Sequence, residues 1–250
     1  IRDRNSGLPM DRLICGDVGF GKTEVALRGA FNVAMSGAQV AFIVPTTLLC
    51  SQHYENFTKR FKNFPLKVDQ ISRLNSTSEN NKIIERINSG ESDVVVGTHA
   101  LLNSKIKFKK LGMLIIDEEQ HFGVSQKEKI KSLRSNVHVL ALTATPIPRT
   151  LQMSLVGLRD LSIISTAPLN RQNINTEVID FNDEKIISAI EYELSRNGQV
   201  YYVCPRINEL KEVEDFLKSK LPNVKYQNAH GQMPSKNLKN TMIDFYNNEF

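Results

Sequence analysis

"RLICGDVGFGKTEVALR", residues 12–28, decides how the rest of the chain is read. Leu13 and Ile14 form a short apolar run ending in Cys15, as a buried strand does, and Lys22 to Met35 is rich in Ala, Leu and Val at helical spacing. Between the two, Gly16, Gly21, Lys22 and Thr23 fall at the G-x-x-x-x-G-K-[ST] spacing of a phosphate-binding loop, with Gly19 inside it. The residue types follow from the ligand. A triphosphate carries several negative charges, and backbone N–H groups running into a helix N-terminus offer donors and the positive end of a dipole together. Glycines let the main chain come close or take positive φ. Lys22 is then placed to reach the β and γ phosphates, and Thr23 to give its hydroxyl to Mg²⁺. ATP with Mg²⁺ is the expected ligand.

A second signal is "LGMLIIDEEQHFG", residues 111–123. An apolar strand ending in acids puts carboxylates at the carboxyl edge of a parallel sheet, where α/β folds bind ligands. There Asp117 is expected to hold Mg²⁺, usually through water, and Glu118 to orient and deprotonate an attacking water. Alone, this stretch reads as a solvated acidic loop; about a hundred residues after a phosphate loop it reads as the other half of an ATPase site. The third signal is "LALTATPIPRT", residues 140–150, where Thr143 and Thr145 end another apolar strand and Pro146 and Pro148 fix the exit. Such a segment senses the γ-phosphate and passes the change onward; it also reads as a plain Pro-terminated strand.

Composition sets the bounds. With 250 residues, 40% hydrophobic and 24% charged, the chain is of ordinary globular type with room for one large core or two smaller ones. No apolar run approaches a membrane span and no leader-like segment opens the chain, so no membrane partner is expected. Cys15, Cys50 and Cys204 are odd in number and widely spaced, which supports neither a disulfide framework nor a zinc site and suits a reducing cytoplasm. Residues 1–166 hold 22 Lys and Arg against 15 Asp and Glu, while residues 167–250 hold 10 against 12. Lys105, Lys107, Lys109, Lys110, Lys127, Lys129, Lys131 and Arg134 surround the acidic knot, a distribution that suits a polyanion and equally a set of solvated faces.

Along the chain, strand and helix patterns alternate, as in a helix-covered parallel sheet. Strands are expected at 39–44, 93–96, 113–116 and 137–142, helix ends at Gly37 and Gly90, and a capping box at Ser125 and Glu128. Residues 166–175, "TAPLNRQNIN", read as a linker. The rhythm then restarts: strands at 176–181, 199–203 and near 225–229, a helix bearing Ile186, Ile187, Ile190 and Leu194, another from about 208 to 221, and a last one through "SKNLKNTMIDFYNNEF". The expected organisation is a domain over 1–165, the linker, and a partial domain over 176–250. Neither end reads as a natural terminus, so the chain is expected to be a piece of a longer protein.

Together these motifs resemble superfamily 2 helicases and translocases, whose core is two RecA-like domains. In that resemblance "GDVGFGKT" is motif I, "VPTTLL" at 44–49 motif Ia, "GTH" at 97–99 motif Ib, "DEEQ" at 117–120 motif II and "TAT" at 143–145 motif III, while "GQVYYVCP" and "HGQM" are similar to second-domain segments. It implies an α/β fold with a RecA-like P-loop domain followed by an incomplete second one. It also implies that Gly16, Gly19, Gly21, Lys22, Thr23 and Glu24 bind nucleotide and that Gln120, Thr143 and Thr145 couple hydrolysis to motion. By the same likeness Thr46, Thr47, Thr98 and His99 touch DNA. Taken bare, Thr46 and Thr47 read equally as helix caps and His99 as a satisfied loop histidine.

The stretches "VPTTLLCSQHYENF", "LIIDEEQHFGVSQKEKIK" and "LTATPIPRTLQMSLVGLRDLSII" are similar to the motor of the bacterial transcription-repair coupling factor family. RecG-like helicases share many of these residues and are less similar around Phe20, Glu24 and Glu119. The resemblance implies an ATP-driven double-stranded DNA translocase that displaces stalled RNA polymerase and promotes nucleotide excision repair. Polymerase and repair proteins would be met through parts of the parent outside this chain, in a cytoplasmic, nucleoid-associated setting. His121 departs from the family's usual arginine. No residue matches the arginine of motif VI, worth roughly 10³ to 10⁵ in rate in comparable enzymes, so these 250 residues are expected to bind Mg·ATP and hydrolyse it slowly. The readings left open are a RecG-like fork remodeller and a non-catalytic nucleotide- or DNA-binding module.

Overall fold

A computed structural model describes residues 9–73, 75–123, 126, 129–130, 137–144, 160–169 and 174–250. Among the described residues the first of two units holds seven strands and three α-helices: β1 (Asp11–Gly16), α1 (Lys22–Met35), β2 (Gln39–Ile43), α2 (Thr47–Phe61), β3 (Val68–Ile71), α3 (Thr77–Ser89), β4 (Val94–Gly97), β5 (Leu111–Asp117), β6 (His138–Thr143) and β7 (Asp160–Ile164). The strands form one sheet in the order β3-β4-β2-β5-β6-β1-β7, with every pairing parallel. Parallel strands need covering on both faces, which explains the unbroken burial of "QVAFI" in β2 and "VVVG" in β4. Alternate side chains divide between the faces. Val40 and Phe42 pack with Ala26, Ala30 and Val33 of α1 and Phe57 and Phe61 of α2, whereas Ala41 and Ile43 pack with Ile83 and Ile87 of α3.

The edge strands are the two that the sequence pattern does not announce. β3 alternates half-buried and buried residues and turns Asp69 inward, where Arg86 and Ser92 hydrogen-bond its carboxylate. β7 is only partly covered. Helix α3 begins in a capping box of Ser76 and Glu79, also unforeseen, and ends at Gly90, whose φ is +85°. Gly37 turns the chain out of α1 with φ +75°. The expected capping box at Ser125 and Glu128 lies outside the described residues, as do Lys127, Lys131, Arg134, Thr145, Pro146 and Pro148.

The chain divides into two compact units, Ile1–Gln172 and Asn173–Phe250. In the second, α4 (Asp183–Ser195), α5 (Glu209–Lys220) and α6 (Ser235–Tyr246) occupy the expected helical stretches. The three strands expected at 176–181, 199–203 and 225–229 are a correction: none of these segments is a strand. A strand exists only when its N–H and C=O groups find a neighbouring strand, and apolar alternation alone does not supply one. Residues 176–181 are exposed throughout, and Val200, Val224 and Tyr226 pack on a small cluster centred on Ile190, Leu217 and Leu221 without pairing.

Candidate active site

Because the sheet is parallel, the carboxyl ends of all its strands lie along one edge. The register aligns Cys15 with Thr143 and Asp117 with Leu142, so the ends of β1, β6 and β5 are level. With adjacent strands about 4.8 Å apart, the phosphate-loop strand and the acidic strand are separated by roughly 10 Å. The three motifs therefore open onto one stretch of edge.

After β1 the chain turns through Gly19 at φ +82° and Gly21 at φ +86°, and Gly21 caps α1. A side chain is strained in this left-handed region, and Gly21 occupies it where the loop must turn into the helix. Gly16 is constrained differently: a Cβ there would sit 3.2 Å from Ile164 Cβ and 3.3 Å from Ile164 O of β7. Lys22 folds back over the loop, its Nζ donating to Gly16 O at 2.7 Å and Asp17 O at 3.1 Å. Thr23 lines a cavity of about 410 Å³ with Glu24, Leu27, Asn56, Lys59 and Arg60. The Glu24 carboxylate accepts from Arg28 Nε at 2.9 Å and Arg60 Nη2 at 2.5 Å, tying α1 to α2. These contacts, that of Arg28 foremost, hold it below the usual carboxylate range.

Asp117 is the last residue of β5, and Glu118 follows with φ +50° and ψ +57°, a conformation a non-glycine residue adopts at a cost. The Glu118 carboxylate is held from three directions. Thr143 Oγ1 donates to its Oε2 at 3.2 Å, the Gln120 amide donates to the same oxygen, and Ala144 N donates to Oε1 at 3.1 Å. Thr143 Oγ1 also lies 3.4 Å from Gln120 Oε1. The acidic motif and the "TAT" segment are thus one hydrogen-bonded network. His121 is exposed on the short 3₁₀ turn Glu119–His121.

One contact has no counterpart in the motif reading. His53, on α2 and 6% exposed, brings Nε2 to 3.3 Å from Asp117 Oδ2. The signal was present in retrospect, for His53 interrupts the apolar stripe Cys50, Phe57, Phe61 on the buried face of α2.

The remaining candidates follow β2 and β4, which adjoin at the other half of the edge. Thr46 is the N-cap of α2 and accepts from Leu49 N at 3.2 Å; Thr47 is the helix's first residue. Thr98 is 2% exposed, and its hydroxyl accepts from Ala100 N at 3.4 Å. His99 Nε2 lies 3.0 Å from Arg73 Nη2, and burial followed by the Arg73 charge pushes its pKa down. The side chains of Thr46 and Thr98 thus serve local turns, while His99 joins an arginine the motifs do not mark.

As a donor set, an ammonium over a glycine loop, a hydroxyl at a helix N-terminus and a carboxylate at a neighbouring strand end suit a hard divalent cation with a polyphosphate. The loop is open at its two left-handed glycines: among the described residues, and apart from the adjoining residues of the chain, no atom lies within 4 Å of where a Cβ on Gly19 or Gly21 would stand.

Comparison with known proteins agrees with this geometry. The chain is 52% identical over 242 residues to the transcription-repair-coupling factor of Staphylococcus haemolyticus, covering 97% of the chain and 21% of that protein. It is 50% identical over 248 residues to those of Staphylococcus epidermidis and Staphylococcus aureus, covering 99% of the chain and 21% of each. The chain therefore spans about a fifth of the length of the curated relatives it matches. Among solved structures, RecG bound to a three-way DNA junction superposes with a TM-score of 0.73 at 32% identity, over 98% of this chain and 33% of that one. A RecA-like α/β helicase fold is common to them. Residues 6–154 match the DEAD/DEAH box helicase model, and the chain belongs to the DEAD/DEAH box helicase family.

Proposed function

We propose that the chain is part of the ATP-driven motor of a transcription-repair coupling factor, a double-stranded DNA translocase that displaces stalled RNA polymerase and promotes excision repair. In this reading residues 1–165 are the first RecA-like, ATP-binding domain, 166–175 the linker, and 176–250 part of the second. The observation that carries it is the network joining Glu118, Gln120, Thr143 and Ala144 at the strand edge beside the phosphate loop.

Each residue then has a task. Lys22 leaves its loop carbonyls to pair with the β and γ phosphates, where its charge counts most as the γ-phosphoryl departs. Thr23 and Asp117 hold Mg²⁺, which when bound offsets phosphate charge. Glu118 takes a proton from the water whose oxygen bonds to the γ-phosphorus as the bond to the β-phosphate oxygen breaks. Gln120 and Thr143, sharing that carboxylate, register the change; Thr145 continues the same segment. Thr46, Thr47, Thr98 and His99 form the DNA-facing half of the edge; the Thr46 hydroxyl, which accepts from Leu49 N, keeps its O–H to donate to a phosphate, and Thr98, 2% exposed, contributes backbone. Residues 1–250 by themselves bind Mg·ATP and turn it over slowly, since none of their arginines matches the one the family carries in motif VI.

The test is Mg·ATP turnover, with and without duplex DNA, by this chain and by a version extended through the family's later motifs. DNA-stimulated turnover by the longer protein, lost in Lys22→Ala, is expected; equal turnover by the short chain would overturn the slow-fragment reading. The likeness to RecG bound to a branched DNA favours a second reading, fork remodelling. Stimulation by junctions well above that by plain duplex would select it.

A further inference from the structure

We infer that His53 is a positioning residue for the metal site: through Nε2–H it holds the Asp117 carboxylate in the orientation that ligates Mg²⁺, making helix α2 part of that site. The inference rests on the assignment of Asp117 proposed above. Three observations lead to it. The ring is 6% exposed and its Nε2 stands 3.3 Å from Asp117 Oδ2, an oxygen that in a carboxylate only accepts, so Nε2 carries the proton. Nδ1 is buried with no hydrogen-bond partner among the described residues. A histidine retained there only for packing leaves a polar nitrogen unsatisfied where Leu or Phe would leave none, with Phe42 4.7 Å away, centroid to centroid. Finally, Asp117 and His53 are brought together by tertiary structure, the α2 segment following β2 and β2 pairing directly with β5.

Mg²⁺ demands near-octahedral geometry, so a ligating carboxylate whose plane is pinned by an outer partner binds it better than a free one. The same helix is capped by Thr46, seven residues before His53. Seven residues at 3.6 per turn return to within about 20° of the same direction, so cap and histidine share a face of α2. A displacement of the helix at its Thr46 end is thereby conveyed to the partner of Asp117.

The experiment titrates Mg²⁺ into the 250-residue chain with a fluorescent ATP analogue and reads binding rather than turnover. His53→Phe keeps a ring against Phe42 and removes the donor; His53→Gln keeps an N–H donor. Expected is a rise of about 10-fold or more in the half-saturating Mg²⁺ concentration for His53→Phe, substantial recovery in His53→Gln, and unchanged analogue binding in the presence of a chelator. A wild-type Mg²⁺ requirement in His53→Phe overturns the inference while leaving the ATPase reading standing. Binding that is indifferent to Mg²⁺ in the unmutated chain overturns both. A measurement that needs no variant is the ¹⁵N spectrum of the His53 ring, whose Nε2 signal must move when Mg²⁺ joins bound nucleotide; a stationary signal also overturns the inference.

Discussion

The first unit and the second read alike in sequence and differ in what they complete. In the first, every strand pairs with a neighbour, and α1 and α2 cover one face of the central strands and α3 the other. In the second, α4 and α5 gather around Ile190, Leu217 and Leu221, while Thr241, Met242 and Phe245 of α6 and residues 198–207 and 224–231 line a cavity of about 780 Å³, the last two segments without pairing. Helices satisfy their backbones within themselves and so form from local sequence. Strands borrow their partners, and the second unit's have not found any.

That contrast places all the proposed chemistry in the first unit, and the largest expected effect tests it. In a motor extended as above, Glu118→Gln should lower DNA-stimulated turnover about 10² to 10⁴-fold, the range for losing a general base, with nucleotide binding retained in a fluorescence titration. The same change at exposed Glu212 of α5 should leave turnover unaltered. Next comes packing. Phe57→Ala, at a fully buried site, should cost the first unit about 3–5 kcal/mol in denaturant unfolding. Leu217→Ala should cost the second nearer 2 kcal/mol, the low end for such truncations, because its surroundings are already open. Equal losses would erase the distinction between a closed core and an open one.

Capping gives a smaller, symmetrical comparison. Ser76 caps α3 and Asn182 caps α4, each accepting a backbone N–H. Alanine at either should cost about 1 kcal/mol, and hydrogen exchange should register the loss only in the unit concerned. The smallest effect is one of pH. Burial raises the Asp69 pKa, but the Arg86 guanidinium and the Ser92 hydroxyl outweigh it and hold the group below the usual carboxylate range. A lowered folded-state value contributes stability above the unfolded pKa of about 3.9 and loses it as pH falls through the folded value. The stability gap between the unmutated chain and Asp69→Asn, measured on the first unit, should therefore narrow below about pH 4.

What the sequence disclosed follows the same division between local and borrowed. The phosphate loop and the acidic strand end were legible because their chemistry demands particular residues at short spacing, and β2, β4 and β5 because strands buried on both faces are apolar without interruption. β3 and β7 escaped notice as edge strands, one with an inward aspartate and the other half covered. The strands expected in the second unit were over-read, since alternation reports a tendency and not a partner. His53 stood out on the apolar stripe of α2, but its partner was beyond reach: the contact with Asp117 spans 64 residues and exists because β2 adjoins β5. Glu24 is assigned to nucleotide by resemblance; its carboxylate pairs with Arg28, four residues on, which local spacing allows, and with Arg60, 36 residues away, which no local pattern encodes.

The crowding at Gly16 bears on how force travels. Ile164 closes β7, the strand from which the chain continues toward the second unit, and β7 is paired with β1 from Arg12 and Asp160 to Gly16 and Ile164. A pull exerted on the chain beyond residue 164 is borne along that ladder, and at its end the first glycine of the phosphate loop rests against Ile164 with no side chain to cushion the contact. Close-packed interiors transmit strain rather than absorb it. Traction on the exit strand is therefore delivered to the loop proposed to hold phosphate, so the tether to the rest of the chain ends at that loop's first glycine.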